Sequence, residues 1–368
     1  MADTFCAYYF PSPTLSPVSK TLKIGTRVVG HNQPVYVIAE MSANHNQDFN
    51  RAVEIVKAAK EAGADAIKLQ TYSADAHTID SRKTEFTISG GTAWDGKTLF
   101  GLYGDAHMPW DWQPKLQVVA AELGLDLFSA PVDATSLAFL ETMAVPVHKI
   151  ASFELVDLQL IRKVAQTGKP TIMSTGMASL AEIDDAVRAF RRAGGTQLAL
   201  LKCTSAYPSP PEDVNLMTLP HLAAAFGVPV GLSDHTLGVA VPTAAVALGA
   251  CIVEKHFTLS RAEPGPDSAF SLEPHEFKAM VEAIRTTEKA LGRVSYEITA
   301  KEQASRVFRR SLFVVQDVKA GELFTEKNVR SIRPGYGLLP KYWDQVIGRR
   351  AARDVERGTP LDWKLIGA

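Results

Sequence analysis

Residues 35–292 alternate short apolar runs with runs of helical period, and eight of the apolar runs read as strands. This repetition constrains the fold more than any other feature. The strand candidates are VYVIAEM, AIKLQT, DLFSAPV, VHKIASFE, PTIMSTGM, LALLKCTS, PVGLSDHT and CIVEKHFT. Between them lie amphipathic segments such as FNRAVEIVKAAKEAG, LQVVAAELG, LQLIRKVAQTG and LAEIDDAVRAFRRAG, several closing on the glycine that helix C-termini prefer. Eight strands rich in Val, Ile and Leu with helices between them predict an α/β fold, a closed parallel (β/α)8 TIM barrel. An open doubly wound sheet is the alternative, but the glycine-rich dinucleotide fingerprint is missing after the first strand.

Two segments break the pattern. Residues 72–109 form a long excursion after the second strand, with GGT and WDG turn signals, and loops of that length are usually functional or mobile. A last helix, EPHEFKAMVEAIRTTEKALG, ends at Gly292 and a polar connector follows. Beyond it, short apolar runs and tight turns without a long helix describe a small second domain, mostly β and irregular. The expected division is a disordered tail over 1–21, the barrel over 22–292, a linker over 293–306 and the small domain over 307–368. From Arg306 onward there are 13 Lys and Arg against 7 Asp and Glu, a formal +6. That charge serves either a solvated basic surface or a cationic lid over an anionic substrate.

The whole chain carries a formal charge of only -1, which excludes a generic binder of nucleic acid or acidic membranes. No aromatic interleaving of the basic residues supports a nucleic-acid surface. Cys6, Cys203 and Cys251 form an odd set with no CxxC, fitting a reducing cytoplasm better than a disulfide framework. The N-terminal MADTFCAYYFPSPTLSPVSK has neither a basic n-region nor a continuous apolar run, so no secretion signal is expected. The uncharged run over 236–253 contains Gly238, Pro242 and Gly249 and reads as a helix followed by a strand, not a membrane span.

In a parallel barrel the chemistry gathers at the C-terminal ends of the strands, and here those ends are polar. The first ends in Glu40 and runs on to His45; the second carries Lys68 and Gln70; the fourth carries Lys149, Ser152 and Glu154. Ser174 and Thr175 end the fifth; Lys202, Thr204, Ser205 and Tyr207 follow the sixth; Ser233, Asp234 and His235 end the seventh. The eighth ends in Glu254, Lys255 and His256. A lysine in such a place is either paired with a carboxylate of the protein or awaits an anion. Lys68 and Lys149 together with Ser152, Ser174 and Ser233 suit a small phosphorylated acid. A lone strand histidine is usually a satisfied core residue. His235 and His256 on neighbouring strands, in a mouth holding several carboxylates, favour a divalent metal, Mn²⁺ before Mg²⁺ and either before structural zinc. Such an ion polarises a carbonyl.

The motifs AEMSANHNQD, ADAIKLQTY, HKIASFE, MSTGM, CTSAYPSP, GLSDHT, VEKHFTL and GPDSAFSLEP, in this order, resemble the sialic acid synthase family. RPGYGL in the small domain completes the set, and that domain resembles the antifreeze-like (SAF) module of these enzymes. Where sialic acid synthases typically read GPDHKASLEP, CTN-x-YP and RPGNGI, this chain has GPDSAFSLEP, CTSAYP and RPGYGL, a pattern similar to the pseudaminic acid branch. The N-acetylneuraminate and legionaminate branches are the alternatives within the family.

The resemblance implies a metal-dependent condensation of phosphoenolpyruvate with an open-chain amino sugar, with C–O cleavage and release of phosphate. It implies that His235 and His256 hold the metal, with Co²⁺ a third candidate, and that Lys68, Gln70, Lys149, Ser152, Ser174 and Ser233 contact phosphoenolpyruvate. Glu40, Glu154, Tyr207 and Asp267 resemble positions that hold the sugar or assist proton transfer, and Ser205 stands where sialic acid synthases use Asn. Arg333 resembles the small-domain arginine that reaches over a partner's barrel in a domain-swapped homodimer. Two departures stand out: Ala130 and Val132 flank Pro131 where relatives often carry a hydroxyl residue and Phe, and Glu263-Pro264 precedes GPDS where a glycine-type residue is common. Outside the resemblance, two other readings of the residues are a Schiff-base aldolase using Lys149 or Lys202, and a non-catalytic sugar-binding protein that kept the fold.

Overall fold

The computed structural model describes residues 21–89, 91, 94–263 and 265–367. The expected N-terminal tail and Pro264 lie outside them, except for Thr21. Eight parallel strands close into a barrel: β1 (Tyr36–Glu40), β2 (Ala66–Thr71), β3 (Asp126–Pro131), β4 (His148–Ile150), β5 (Thr171–Ser174), β6 (Leu198–Cys203), β7 (Val230–Asp234) and β8 (Ile252–His256). β8 pairs with both β7 and β1, which completes the ring and sets His256 opposite Glu40 and Glu254 opposite Ser233.

The helices form for local reasons that the sequence carries. Phe49–Glu61 starts on Asp48, whose carboxylate accepts from the amides of Asn50 and Arg51, and buries Ala52, Ile55, Val56 and Ala59 at helical spacing. Leu180–Arg192 starts on a capping box of Ser179 and Glu182. Gln113–Glu122, Ala134–Thr142, Leu158–Gln166, Thr218–Phe226, Ala240–Ala247 and Pro274–Leu291 complete the outer layer, Ala240–Ala247 within the uncharged run.

The barrel interior is apolar below and polar above. Ile38, Phe128, Ile172, Leu201 and Ile252 are fully buried and form part of one continuous core. Gly231 makes room for this filling, because a Cβ there would lie 2.4 Å from the Ile252 carbonyl and 2.7 Å from Leu201. One element was not anticipated. Leu22–Ile24 and Arg27–Val29 pair as an antiparallel ribbon ahead of β1. Leu22, Ile24 and Val29 enter the same core, and Arg27 bridges Asp65 and Asp126 at the starts of β2 and β3. The ribbon thus belongs to the end of the barrel opposite the catalytic face.

The excursion after β2 includes regular structure among its described residues. It holds short helices at Ala74–His77 and Leu99–Ala106, the second capped by Thr98, whose hydroxyl accepts from the Gly101 amide. The indole of Trp110 ties its end to the Tyr72 carbonyl at 3.0 Å.

The chain divides into two compact units at Gly292. In the smaller one Ser311–Val314 and Val329–Ile332 form an antiparallel ribbon over a core that includes Leu312, Val314, Phe324, Val329 and Leu361. The segment read as a plain polar connector carries a helical turn, Ala300–Ser305, because Thr299 and Glu302 make a capping box. Among the described residues no helix is long and apolar enough to cross a membrane.

Candidate active site

Side chains of successive strand residues point to opposite faces, so residues two apart share a face. That rule sorts the polar strand ends. Glu254 and His256 line a cavity of about 440 Å³ at the C-terminal mouth of the barrel, a size that suits a small-molecule site. Lys255 between them does not. It is fully buried on the other face, where it donates to Asp234 at 2.6 Å and to the Thr236 carbonyl. Of the sequence candidates, Glu40, Lys68, Gln70, Lys149, Ser152, Glu154, Ser174, Tyr207, Ser233, His235, His256 and Asp267 all line the cavity. His45 does not: it is buried against Trp112, with ring centroids 5.8 Å apart. Lys202 is also outside the lining, half-buried and donating to the Cys203 carbonyl at 2.9 Å. Arg333 belongs to the smaller unit and is exposed.

Two buried lysines sit in different electrostatic settings. Lys68 lies 2.7 Å from Glu40 and 3.6 Å from Glu254. Burial works against its charge, but Glu254 and Glu40 hold the ammonium above its ordinary range. Lys149 pairs with Glu254 at a longer 3.9 Å, and donates to Ser174 Oγ at 2.7 Å and to the Ile150 carbonyl at 3.1 Å. Burial therefore pulls its pKa down, with Glu254 opposing. Of the two lysines that line the cavity, Lys149 has the weaker countercharge.

Carboxylates divide in the same way. Burial raises Glu40 to about 7 against the pull of Lys68, with Glu254 adding repulsion. Gln70 donates to its other oxygen at 2.9 Å. Burial acts on Glu254 too, yet Lys149 and Lys68 hold it below the usual range. Asp267 is half-buried, and desolvation raises its pKa, while Ser42 donates to its Oδ2 and the Ala43 amide does so at 3.2 Å.

Hydroxyls crowd the segment after β5. The Gly176 amide donates to Ser152 Oγ at 3.1 Å. A Cβ on Gly176 would lie 2.3 Å from Ser205 Oγ and 2.7 Å from Ser152 Oγ. Ser205 itself stands behind this contact and outside the cavity lining. Only glycine leaves that pair of hydroxyls in place.

The two imidazoles are adjacent, with ring centroids 5.2 Å apart and a tilt of 52°. His235 Nδ1–H donates to the Thr204 carbonyl at 2.9 Å, so Nε2 is the nitrogen a metal would take when the ring is neutral. His256 has a buried Nδ1 with no hydrogen-bond partner. Burial first, and then His235 and the lysines, keep it neutral, its pKa well below the ordinary value. Burial works against the charge of His235, but Cys203 and the Thr204 carbonyl hold its pKa above the ordinary value. The adjacent pair with its one orphaned nitrogen fits a divalent ion that would displace a proton from His235 on binding. Among the described residues no group of three or more His, Cys, Asp and Glu is placed to hold a metal ion, so an ion on this pair would take its remaining positions from water or substrate.

Sequence reasoning passed over several residues. Glu254, noticed but given no role, stands between both lysines and accepts from Ser233 Oγ at 3.3 Å. Its place two residues before His256 was the available signal. Ser42 and Cys203 also line the cavity, as do Tyr72, His77, Leu99, Leu102 and Tyr103 from the excursion; nothing in the strand pattern points to these last.

A family model described as the NeuB family matches residues 55–296, and one for the SAF domain matches residues 309–366. The chain is 46% identical over 330 residues to the pseudaminic acid synthase of Helicobacter pylori, covering 89% of this chain and 97% of that protein. It is 35% identical to the N,N'-diacetyllegionaminic acid synthase of Legionella pneumophila, covering 94% and 98%. Among solved structures, a spore coat polysaccharide biosynthesis protein of Bacillus subtilis superposes with a TM-score of 0.64 at 34% identity, over 95% of this chain and 99% of that one. The N-acetylneuraminic acid synthetase of Leptospira borgpetersenii, in complex with citrate, gives a TM-score of 0.70 at 32% identity, over 78% and 95%.

Proposed function

The chain belongs to the NeuB family, and from that premise we propose that it is an enzyme condensing phosphoenolpyruvate with 2,4-diacetamido-2,4,6-trideoxy-L-altrose to give pseudaminic acid and phosphate. The observation that carries this reading is the juxtaposition, in one cavity, of the His235–His256 pair with Lys149, the lysine with the weaker countercharge. The relatives named pseudaminic acid synthase, including one at 44% identity from Campylobacter jejuni, support the choice of sugar.

Lys149, Ser152, Ser174 and Ser233 receive the anionic groups of phosphoenolpyruvate, with Lys68 and Gln70 fixing Glu40 beside it. Ala130 and Val132 supply no hydroxyl to that side. The methylene carbon of the enol phosphate attacks the sugar aldehyde, forming the C–C bond, and the aldehyde oxygen takes a proton. Water adds to the oxocarbenium-like carbon left behind, and the bond between that carbon and the phosphate oxygen breaks. Glu40, buried and raised to about 7, is assigned to exchange a proton at neutral pH. Glu154, Tyr207 and Asp267 hold the sugar. A divalent ion, Mn²⁺ first and Mg²⁺ or Co²⁺ next, is assigned to His235 and His256, where it supplies Lewis-acid polarisation of the aldehyde. We assign Arg333 to the sugar through a domain-swapped homodimer, and the reaction to the cytoplasm.

Mass spectrometry of the product from phosphoenolpyruvate and the diacetamido sugar, run against N-acetylmannosamine, tests the reading. A nonulosonic acid from the first sugar supports it, and product from N-acetylmannosamine alone moves the chain to the sialic acid branch. The lowered pKa of Lys149 favours one other reading, a Schiff-base aldolase. Borohydride trapping of a covalent lysine adduct would establish that instead, and a protein that releases no phosphate with any sugar is a binder.

A further inference from the structure

Leu99, Leu102, Tyr103 and Ala106 stand at helical spacing on one short helix, and all four line the cavity. Residues at this spacing share one face of a helix. An apolar stripe of this kind normally packs into a core. This one does not: Leu102 is 8% exposed, yet neither it nor its three neighbours joins either hydrophobic core of the barrel. The opposite face is polar or bare, with Gly101, Gly104 and Asp105 exposed. The helix is held in place at both ends, by the Thr98 cap and by the Gln47 amide, which donates to the Asp105 carbonyl at 3.0 Å and to that of His107. The ring of Tyr103 stacks on His77 at 4.5 Å. The cavity therefore has charge and hydroxyls from the strand ends, while the excursion adds the apolar Leu99, Leu102 and Ala106 beside the rings of Tyr72, His77 and Tyr103.

Resting on the function proposed above, we propose that this stripe is the determinant that selects a sugar whose far end is a methyl group in place of a hydroxymethyl. In this reading the aldehyde end of an open-chain hexose lies at the imidazoles and carbon 6 against the stripe. A hydroxymethyl there would lose its water against Leu99, Leu102 and Ala106, none of which offers it a hydrogen bond. A methyl group loses nothing. Apolar pockets of this type discriminate between a methyl and an added hydroxyl by about tenfold to a hundredfold.

The test compares 2,4-diacetamido-2,4,6-trideoxy-L-altrose with its 6-hydroxy analogue, reading kcat/KM and, by calorimetry with each sugar alone, Kd. The intact chain is expected to favour the 6-deoxy sugar by about tenfold or more. Leu99→Gln is expected to bring the two sugars within about threefold while leaving the KM for phosphoenolpyruvate unchanged. Ala106→Leu, which fills the space instead of making it polar, is expected to weaken the 6-deoxy sugar about tenfold, again without changing that KM. Equal use of both sugars by the intact chain overturns the proposal, as does a preference that survives both variants. Absence of phosphate release with either sugar contradicts the proposed function instead. In that case the Kd values still decide the stripe: a preference lost in Leu99→Gln supports it and equal affinities overturn it.

Discussion

Lys255 on β8 donates to Asp234 on β7 across 2.6 Å, and neither side chain reaches water. Their neighbours Glu254 and His235 face the cavity, so consecutive residues on two adjacent strands serve separate purposes. The outer pair is structural. Breaking a buried pair by removing one partner leaves an uncompensated charge and costs about 3–5 kcal/mol. Asp234→Ala is expected to lose that much in urea unfolding, and the double variant Asp234→Leu with Lys255→Met to regain most of it. A single-variant loss under about 1 kcal/mol would contradict a buried, charged pair.

The two cavity lysines are expected to separate in the same experiment. Lys68→Met leaves Glu40 and Glu254 facing each other and should destabilise the fold by about 3–5 kcal/mol. Lys149→Met removes the more weakly paired charge and leaves Glu254 with Lys68, so it should cost less stability. Its effect should appear in the KM for phosphoenolpyruvate, raised about tenfold or more. Equal effects of the two variants on both readouts would remove the distinction drawn between them.

Gly176→Ala probes the hydroxyl cluster. The added carbon meets Ser205 and Ser152 at distances no real Cβ occupies, and both hydroxyls must turn away. Weakened phosphoenolpyruvate binding, about tenfold, with the fold retained is expected in steady-state kinetics. Unchanged KM would mean the cluster does not touch the substrate.

These expectations show which parts of the chain were readable. All eight barrel strands were legible because buried β-runs and capped helices are local signals, and AIKLQT became β2 without a residue's change. The face each strand-end residue occupies was legible in principle from alternation, and Glu254 could have been assigned by counting two back from His256. His45 and Lys202 misled because a polar residue near a strand end looks the same whether it turns into the cavity or away from it. The apolar stripe was not legible. Its residues lie in the excursion, where no barrel periodicity tells Leu99 from an ordinary core leucine, and only the tertiary path turns the stripe toward the cavity.

Stability should also respond to pH through Glu40. Burial raises its folded pKa to about 7, above that of an unfolded glutamate. A raised carboxyl contributes stability that is complete below the unfolded value and is lost as pH rises through the folded one. Urea unfolding between about pH 4.5 and pH 7 should therefore show a decline that is smaller in Glu40→Gln, which has no proton to lose. Identical declines in both proteins would show that Glu40 stays ionised throughout.

The central claim is that two imidazoles and a cavity of cations and hydroxyls make phosphoenolpyruvate react with an aldehyde sugar. It is tested most directly by measuring phosphate released from phosphoenolpyruvate and the diacetamido sugar before EDTA treatment, after it, and after adding back Mn²⁺, with His256→Ala in parallel. The account predicts release that EDTA abolishes and Mn²⁺ restores, and none from a folded His256→Ala protein. Release that persists in EDTA, or in His256→Ala, would contradict it.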